Sequence, residues 1–220
     1  MEEIFWLGLG DVHNSFSKVL NLPDLNKAQG VIISGDLTNR GNKAEVLEFL
    51  QQLKKQVPVV FAQIGNMDSK EVEEALEEAG VNLHRKVVYV EPGLYVAGMG
   101  YSTPTPFGTP SEVSEQTLAT WLGELKSKVQ DKSPLLFVSH TPPYGTRCDT
   151  LFSGAHVGSK AVLDFIQEVA PDICLTGHIH EARSVDEVGG TLVINPGTLA
   201  TGGYVKIIFQ DGRLEVETSF

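Results

Sequence analysis

Short apolar runs of strand length recur along the chain: IFWLGLG, VIISG, VPVVFAQIG, VVYV, LYVAGMG, PLLFVSH, DICLTGH, TLVINPG, YVKIIF and LEVETS. Most are bounded by glycine, proline or a polar turn, the punctuation that ends strands. Between several of them, apolar positions recur three and four residues apart, the period of a helix with one buried face. Ala44, Val46, Leu47, Phe49, Leu50 and Leu53 mark one helix, and Val72, Ala75, Leu76 and Ala79 a second. Leu118, Trp121, Leu122, Leu125 and Val129 mark a third, and Val162, Phe165, Ile166 and Val169 a fourth. Ser114 and Ser159 stand where the N-caps of the last two belong. Trp121 and Phe49 follow the helical spacing and are expected in the core.

Strands that alternate with helices imply parallel pairing under a helical cover, whereas closing strands with no helix between them imply antiparallel pairing. The pattern therefore reads as an α/β chain, a mixed sandwich forming a single domain over residues 1–220. One segment breaks it. YSTPTPFGTPS, residues 101–111, carries three prolines and a glycine, which exclude helix and central strand alike. It reads as a loop, either an ordinary connector or a lid or wall over a bound substrate.

Composition narrows the function classes. The 220 residues include 41% hydrophobic and 20% charged residues, ordinary for a globular chain with a full core. A net charge of −11 argues against general nucleic-acid binding, which needs clustered Lys and Arg. Much of the acidity sits in KEVEEALEEAG, which reads as a solvated helix face. Cys148 and Cys174 are the only cysteines, too few and too unpatterned for a disulfide scaffold, so a reducing cytoplasm is expected. The start, MEEIFWLGLGDVH, is acidic where a signal peptide would be basic, and no run has the length of a membrane span. A cytoplasmic protein without membrane attachment is expected, and the oligomeric state is left open.

The apolar runs end on polar residues. The first closes on Gly10, Asp11, Val12 and His13, the second on Gly35 and Asp36, and the third on Gly65, Asn66, Met67 and Asp68. Later ones close on Ser139 and His140 and on Gly177, His178, Ile179 and His180. Open α/β sheets bind ligands at the carboxyl ends of their strands, so these groups are expected on one rim. Carboxylates and imidazoles without a thiolate suit Mn, Fe, Zn or Co better than Ca or Mg. Asp11, His13, Asp36, Asn66, His140, His178 and His180 are more donors than one ion uses, so two divalent cations sharing a carboxylate are expected, manganese favoured. Such pairs serve in-line displacement at phosphorus. Asp11 with His13, and His178 with His180, are spaced two apart, so each pair is expected to chelate from an extended chain. The glycines before Asp36, Asn66 and His178 allow sharp turns or close backbone approach.

DVH, GDLTNRG, GNMD, SHTPP and GHIH, in this order, resemble the motifs of the calcineurin-like metallophosphoesterases, from Asp11 to the NPG at Asn195–Gly197. HTPPYGT and HVGSKAV resemble its branch of small prokaryotic phosphoesterases. The resemblance implies a four-layer αββα sandwich of two mixed sheets flanked by helices. It implies that Asp11, His13 and His180 hold one metal, that Asn66, His140 and His178 hold the second, and that Asp36 bridges them. It further implies attack on phosphorus by a metal-bridging hydroxide, with a small phosphorylated molecule as substrate. Asp68 would then be no ligand, but would accept a hydrogen bond that orients a histidine or the Asn66 loop.

The departure is Met67. The family commonly has GNHD or GNHE here, with a histidine that contacts phosphate and protonates the leaving alcohol, and a thioether does neither. Three readings stay open: phosphodiesters or activated esters that need no acid, a substitute acid supplied by His156, or a methionine that packs an apolar part of the substrate. Asp36, Asn66 and His156 are thus the candidates for catalytic roles. Arg40 is read either as a phosphate clamp or as a surface ion pair, Arg147 and Asp149 either as pocket residues or as partners of each other, and Glu181 and Arg183 are equally open. The leading expectation is a metal-dependent phosphoesterase that favours diesters. The alternative is a scaffold that keeps the fold without turnover, as one retromer subunit of this family does. A nucleotide-binding regulator would want GxxxxGK[ST], which the chain lacks.

Overall fold

The computed structural model describes residues 4–90, 92–218 and 220. The first sheet runs in the order β11-β10-β1-β2-β3, with β1 at Ile4–Leu9, β2 at Gly30–Ile33, β3 at Val59–Ala62, β10 at Tyr204–Gln210 and β11 at Arg213–Thr218. Strands β1, β2 and β3 are parallel, and β10 and β11 close the sheet antiparallel. The second sheet runs β4-β5-β6-β7-β9-β8, built from β4 (Val87–Val90), β5 (Leu94–Met99), β6 (Leu135–Ser139), β7 (Ile173–Leu175), β8 (Ser184–Val188) and β9 (Thr191–Asn195). Its central strands β5, β6, β7 and β9 are parallel, while β4 and β8 pair antiparallel at the edges.

Side chains of period two divide each strand between two cores. Phe5, Leu7 and Leu9 of β1 and Val31 and Ile33 of β2 pack in a core with α1 (Phe16–Leu20), α2 (Lys43–Leu53) and α3 (Lys70–Glu78). Leu135 and Phe137 of β6 turn the other way, to α4 (Glu115–Val129) and α5 (Lys160–Val169). The alternate residues, Trp6 and Ile32 on one sheet and Leu136, Val138 and Leu175 on the other, fill the space between the sheets. The result is the expected αββα sandwich. Truncating one of these fully buried leucines costs about 2–5 kcal/mol.

Ser114 Oγ accepts Thr117 N at 3.1 Å and Ser159 Oγ accepts Val162 N at 3.2 Å, so both expected caps form. Asn42 caps α2 in the same way through Glu45 N. Phe49 is buried, but Trp121 is only partly so: its ring meets His84, Tyr101 and the Arg85 guanidinium at the margin of the core. Gln63, just past β3, ties the layers together. Its amide nitrogen lies 3.1 Å from Ser34 O in its own sheet, and 3.0 and 3.2 Å from Met99 O and Val138 O in the other. Both cysteines are free and buried. No helix among the described residues is long and apolar enough to cross a membrane.

Candidate metal centre

The carboxyl ends of the parallel strands open onto one cavity of about 940 Å³. Asp11 follows β1, Asp36 follows β2 and Asn66 follows β3, while His140 follows β6 and His178 and His180 follow β7. Donors from both sheets therefore meet across the sandwich. The structure brings together all the strand-end donors named from the sequence.

On one side, His180 Nε2 lies 3.1 Å from Asp11 Oδ2 and 3.0 Å from His13 Nε2. On the other, Asn66 Oδ1 lies 3.0 Å from His140 Nε2 and 2.7 Å from His178 Nδ1. Asp36 stands between the two sides, with Oδ2 3.7 Å from His13 Nε2 and Oδ1 3.5 Å from His140 Nε2. Two groups, Asp11 with His13 and His180, and Asp11 with Asp36 and His140, each offer ligand atoms within 4.8 Å of one another.

Local backbone explains how the groups converge. His13, Asp36 and His178 have φ of 45°, 47° and 67°, left-handed conformations that cost about 1–3 kcal/mol each and cluster at functional sites. The expectation of an extended chain at the two motifs is corrected by these angles. A turn places His13 beside Asp11, and a second turn sends His178 to Asn66 but His180 to Asp11, so the GHIH pair does not chelate as a unit. Asp36 O accepts Val12 N and His13 N, which braces the first turn. Close approach requires all three of the glycines before Asp36, Asn66 and His178: a Cβ on Gly35 would sit 2.4 Å from His140 Nδ1, one on Gly65 2.2 Å from Asp36 Oδ1, and one on Gly177 2.5 Å from Asp11 Oδ1.

Asp68 is buried and accepts from Leu37 N, Thr38 N, Thr38 Oγ1 and Gly65 N. It orients no histidine; it ties the Asp36 loop to the Asn66 loop. Burial pushes its carboxyl up to about 6 despite these donors. Asn195, which the sequence left without a role, donates from Nδ2 to Gly177 O and Ile179 O and so holds the GHIH turn.

The electrostatics match a cation site. Burial and the Asp11 and Asp68 carboxylates push Asp36 well above the usual range. Burial also opposes ionisation of Asp11, but His180, His140 and the His178 amide outweigh it and hold the carboxyl at about 2. Burial pushes His140 down to about 3 and His178 to about 4, so both rings are neutral and carry lone pairs. Among the described residues the ion-pair partners of the two carboxylates are all histidines, with no Lys or Arg. His140 Nδ1 is buried without a hydrogen bond. Paired buried carboxylates, neutral imidazoles and an amide oxygen fit divalent cations of the Mn to Zn series.

The cavity's other wall is apolar. Pro104, Pro106 and Phe107 of the proline-rich loop, with Met67, Leu151 and Val157, form much of it, so the 101–111 segment is a wall and not merely a connector. Arg40 lies on the rim and has no carboxylate partner among the described residues. His156 is not brought in: it is exposed, and its Nδ1 bonds Asp149 Oδ1 at 2.7 Å. Arg147 pairs with Asp186 instead of Asp149, because Asp149 is committed to His156 and to Gly145, Thr146 and Gly158 amides. Glu181 lines the cavity and accepts Phe152 N, whereas Arg183 turns to the carbonyls of Thr201 and Gly202.

The uncharacterized protein MJ1162 of Methanocaldococcus jannaschii is 35% identical over 195 residues, which covers 86% of this chain and 86% of that protein. The crystal structure of TT1561 of Thermus thermophilus superposes with a TM-score of 0.76 at 18% identity, over 98% of this chain and 99% of that one. A dimetal phosphatase from Danio rerio superposes at 0.65 with 11% identity, over 97% and 95%; at these identities the likeness is one of fold. A family model described as calcineurin-like phosphoesterase matches residues 7–182. That span runs from the first strand past His180, and the chain belongs to the calcineurin-like phosphoesterase family.

Proposed function

We propose that the chain is a dinuclear metal-dependent phosphoesterase, acting on small phosphodiesters or on phosphate esters with good leaving groups, in a reducing cytoplasm. The observation that carries this reading is the pair of buried carboxylates, Asp11 and Asp36, faced by histidines and, among the described residues, by no Lys or Arg ion-pair partner on the floor of the cavity. Asp11, His13 and His180 would hold one cation, Asn66, His140 and His178 the other, and Asp36 would serve both. Bound divalent cations, manganese first among Mn, Fe, Zn and Co, would supply Lewis-acid stabilisation of phosphate oxygens and an acidified water.

The chain's own groups set what can react. Arg40, on the rim, provides a guanidinium for a phosphate oxygen. Met67 stands on the wall beside Asp36 and donates no proton, while His156 is held by Asp149. Neither Met67 nor His156 would hand a proton to a leaving alkoxide, and this favours leaving groups that depart unprotonated. Met67, Pro104, Pro106 and Phe107 provide an apolar surface for the organic part of the substrate.

A screen of the metal-reconstituted chain against nucleotides, cyclic nucleotides, simple diesters and phospholipid head groups, run beside Asp36→Ala, tests the proposal. Turnover that needs added metal and disappears in the variant is expected. Absence of metal-dependent turnover across the panel would favour the scaffold instead.

A further inference from the structure

Asn66 is unlike the other candidate ligands because its amide has two chemically opposite ends, and only the oxygen can serve a cation. The surroundings decide which end faces inward. Asn66 Nδ2 lies 2.9 Å from Thr109 Oγ1, and Thr109 Oγ1 lies 2.5 Å from Glu112 Oε1. The same carboxylate oxygen accepts Thr109 N at 2.8 Å and Thr105 Oγ1 at 2.6 Å. An ionised carboxylate only accepts hydrogen bonds, so the Thr109 hydroxyl must give its proton to Glu112 and keep a lone pair for Asn66. The amide is therefore oriented with nitrogen outward and oxygen toward His140 and His178. Glu112 is suited to this role as an ionised acceptor. Burial raises its carboxyl, but the donors from Thr105 and Thr109 outweigh this and hold it at about 2.

We infer that Glu112 and Thr109 form a positioning relay that fixes the direction of the Asn66 amide and thereby the affinity of the His140 and His178 side for its cation. This rests on the metal-binding reading above. Thr109 lines the cavity beside Asn66 and Glu112 stands behind Thr109; the positioning role of both runs through the Asn66 amide. Because Thr105 hangs on the same oxygen, the relay also anchors the proline-rich wall, so the shape of the wall and the readiness of the inner ligands share one support.

The test is a Mn(II) titration of the full chain followed by electron paramagnetic resonance and calorimetry, with no substrate present. The wild type is expected to take up two ions. Thr109→Val keeps the shape but removes the acceptor, leaves Nδ2 unpaired and frees the amide to turn; one of the two ions is expected to bind about 10- to 100-fold more weakly, the other unchanged. Thr109→Ser restores the hydroxyl and is expected to restore wild-type uptake. Glu112→Ala is expected to weaken the same single ion and serves if Thr109→Val does not fold. Wild-type uptake in Thr109→Val, equal weakening of both ions, or failure of Thr109→Ser to rescue overturns the relay while leaving the metal reading intact. A wild type that binds no Mn(II) overturns both.

Discussion

The two sides of the centre are built differently. His140 and Asn66 are buried, and the amide is held from behind by Thr109. Across Asp36, His13 is partly buried and His180 has 49% of its side chain exposed; His13 leans on His180 and Asp36, and His180 on His13 and Asp11. The inner side is positioned by the fold before any ligand arrives. The outer side is a pair of rings on left-handed or 3-10 turns, which have fewer contacts to hold them. Preorganised ligands lose less on binding than mobile ones, so the inner side is expected to hold its cation more tightly.

The sharpest way to break this comparison is to remove one ring from each side. His140→Ala opens a void in a packed region and is expected to lower the metal-free stability by about 3 kcal/mol, whereas His180→Ala is expected to lower it by less than about 1 kcal/mol. Denaturant melts in chelator read both, and equal losses would erase the distinction between the sides. A smaller effect is expected above the centre: Met67→His should raise turnover of an alkyl monoester by about 10²-fold and barely change that of an activated aryl ester. Steady-state rates on the two substrates check it, and an unchanged ratio would remove the leaving-group account.

The smallest effect lies behind the inner side. His84 accepts Gly100 N on Nδ1 at 3.0 Å, and burial, with the Arg85 charge, pushes its ring down from 6.5 to about 3. The fold thus favours the neutral ring. That contribution is full above pH 6.5 and is lost as the pH falls toward 3, because the unfolded chain takes up a proton that the native ring refuses. Between pH 7 and 5 this amounts to about 2 kcal/mol. His84→Asn keeps an acceptor without the titration, and its stability should fall less with acid by that amount; parallel curves for the two proteins would contradict the assignment.

Much of this was legible in the sequence because the signals were periodic or terminal. The apolar runs that became strands ended in the residues that now meet, and α2 to α5 lie where apolar spacing placed them. Strand β8, SVDEV, was not visible, since an edge strand paired only to β9 buries little and needs no apolar run. Helix α1 is too short to show a period. Thr109 and Glu112 gave no signal at all: their importance comes from a loop folding back on Asn66 across more than forty positions of chain. Gln63 did give one, a lone amide inside the run VPVVFAQIG, where an unpaired polar group would be costly. His156 lies outside the cavity lining because Asp149 takes its ring, a contact that proximity in sequence to SHTPP does not reveal.

Position 67 has one more consequence. Its N–H donates to Asp36 Oδ1 at 2.8 Å and its carbonyl accepts Arg40 N at 3.1 Å, so the main chain alone supplies what the neighbouring loops need from this residue. The half-buried side chain above them carries no such duty. Exchanges there leave the scaffold's margin of stability nearly untouched, and stability is the usual limit on which substitutions a lineage can accept. Histidine, methionine or another residue can therefore be tried at this place by natural variation without first securing compensation elsewhere. On the proposed function, the centre would thereby be a fixed socket whose repertoire of leaving groups can drift over evolutionary time.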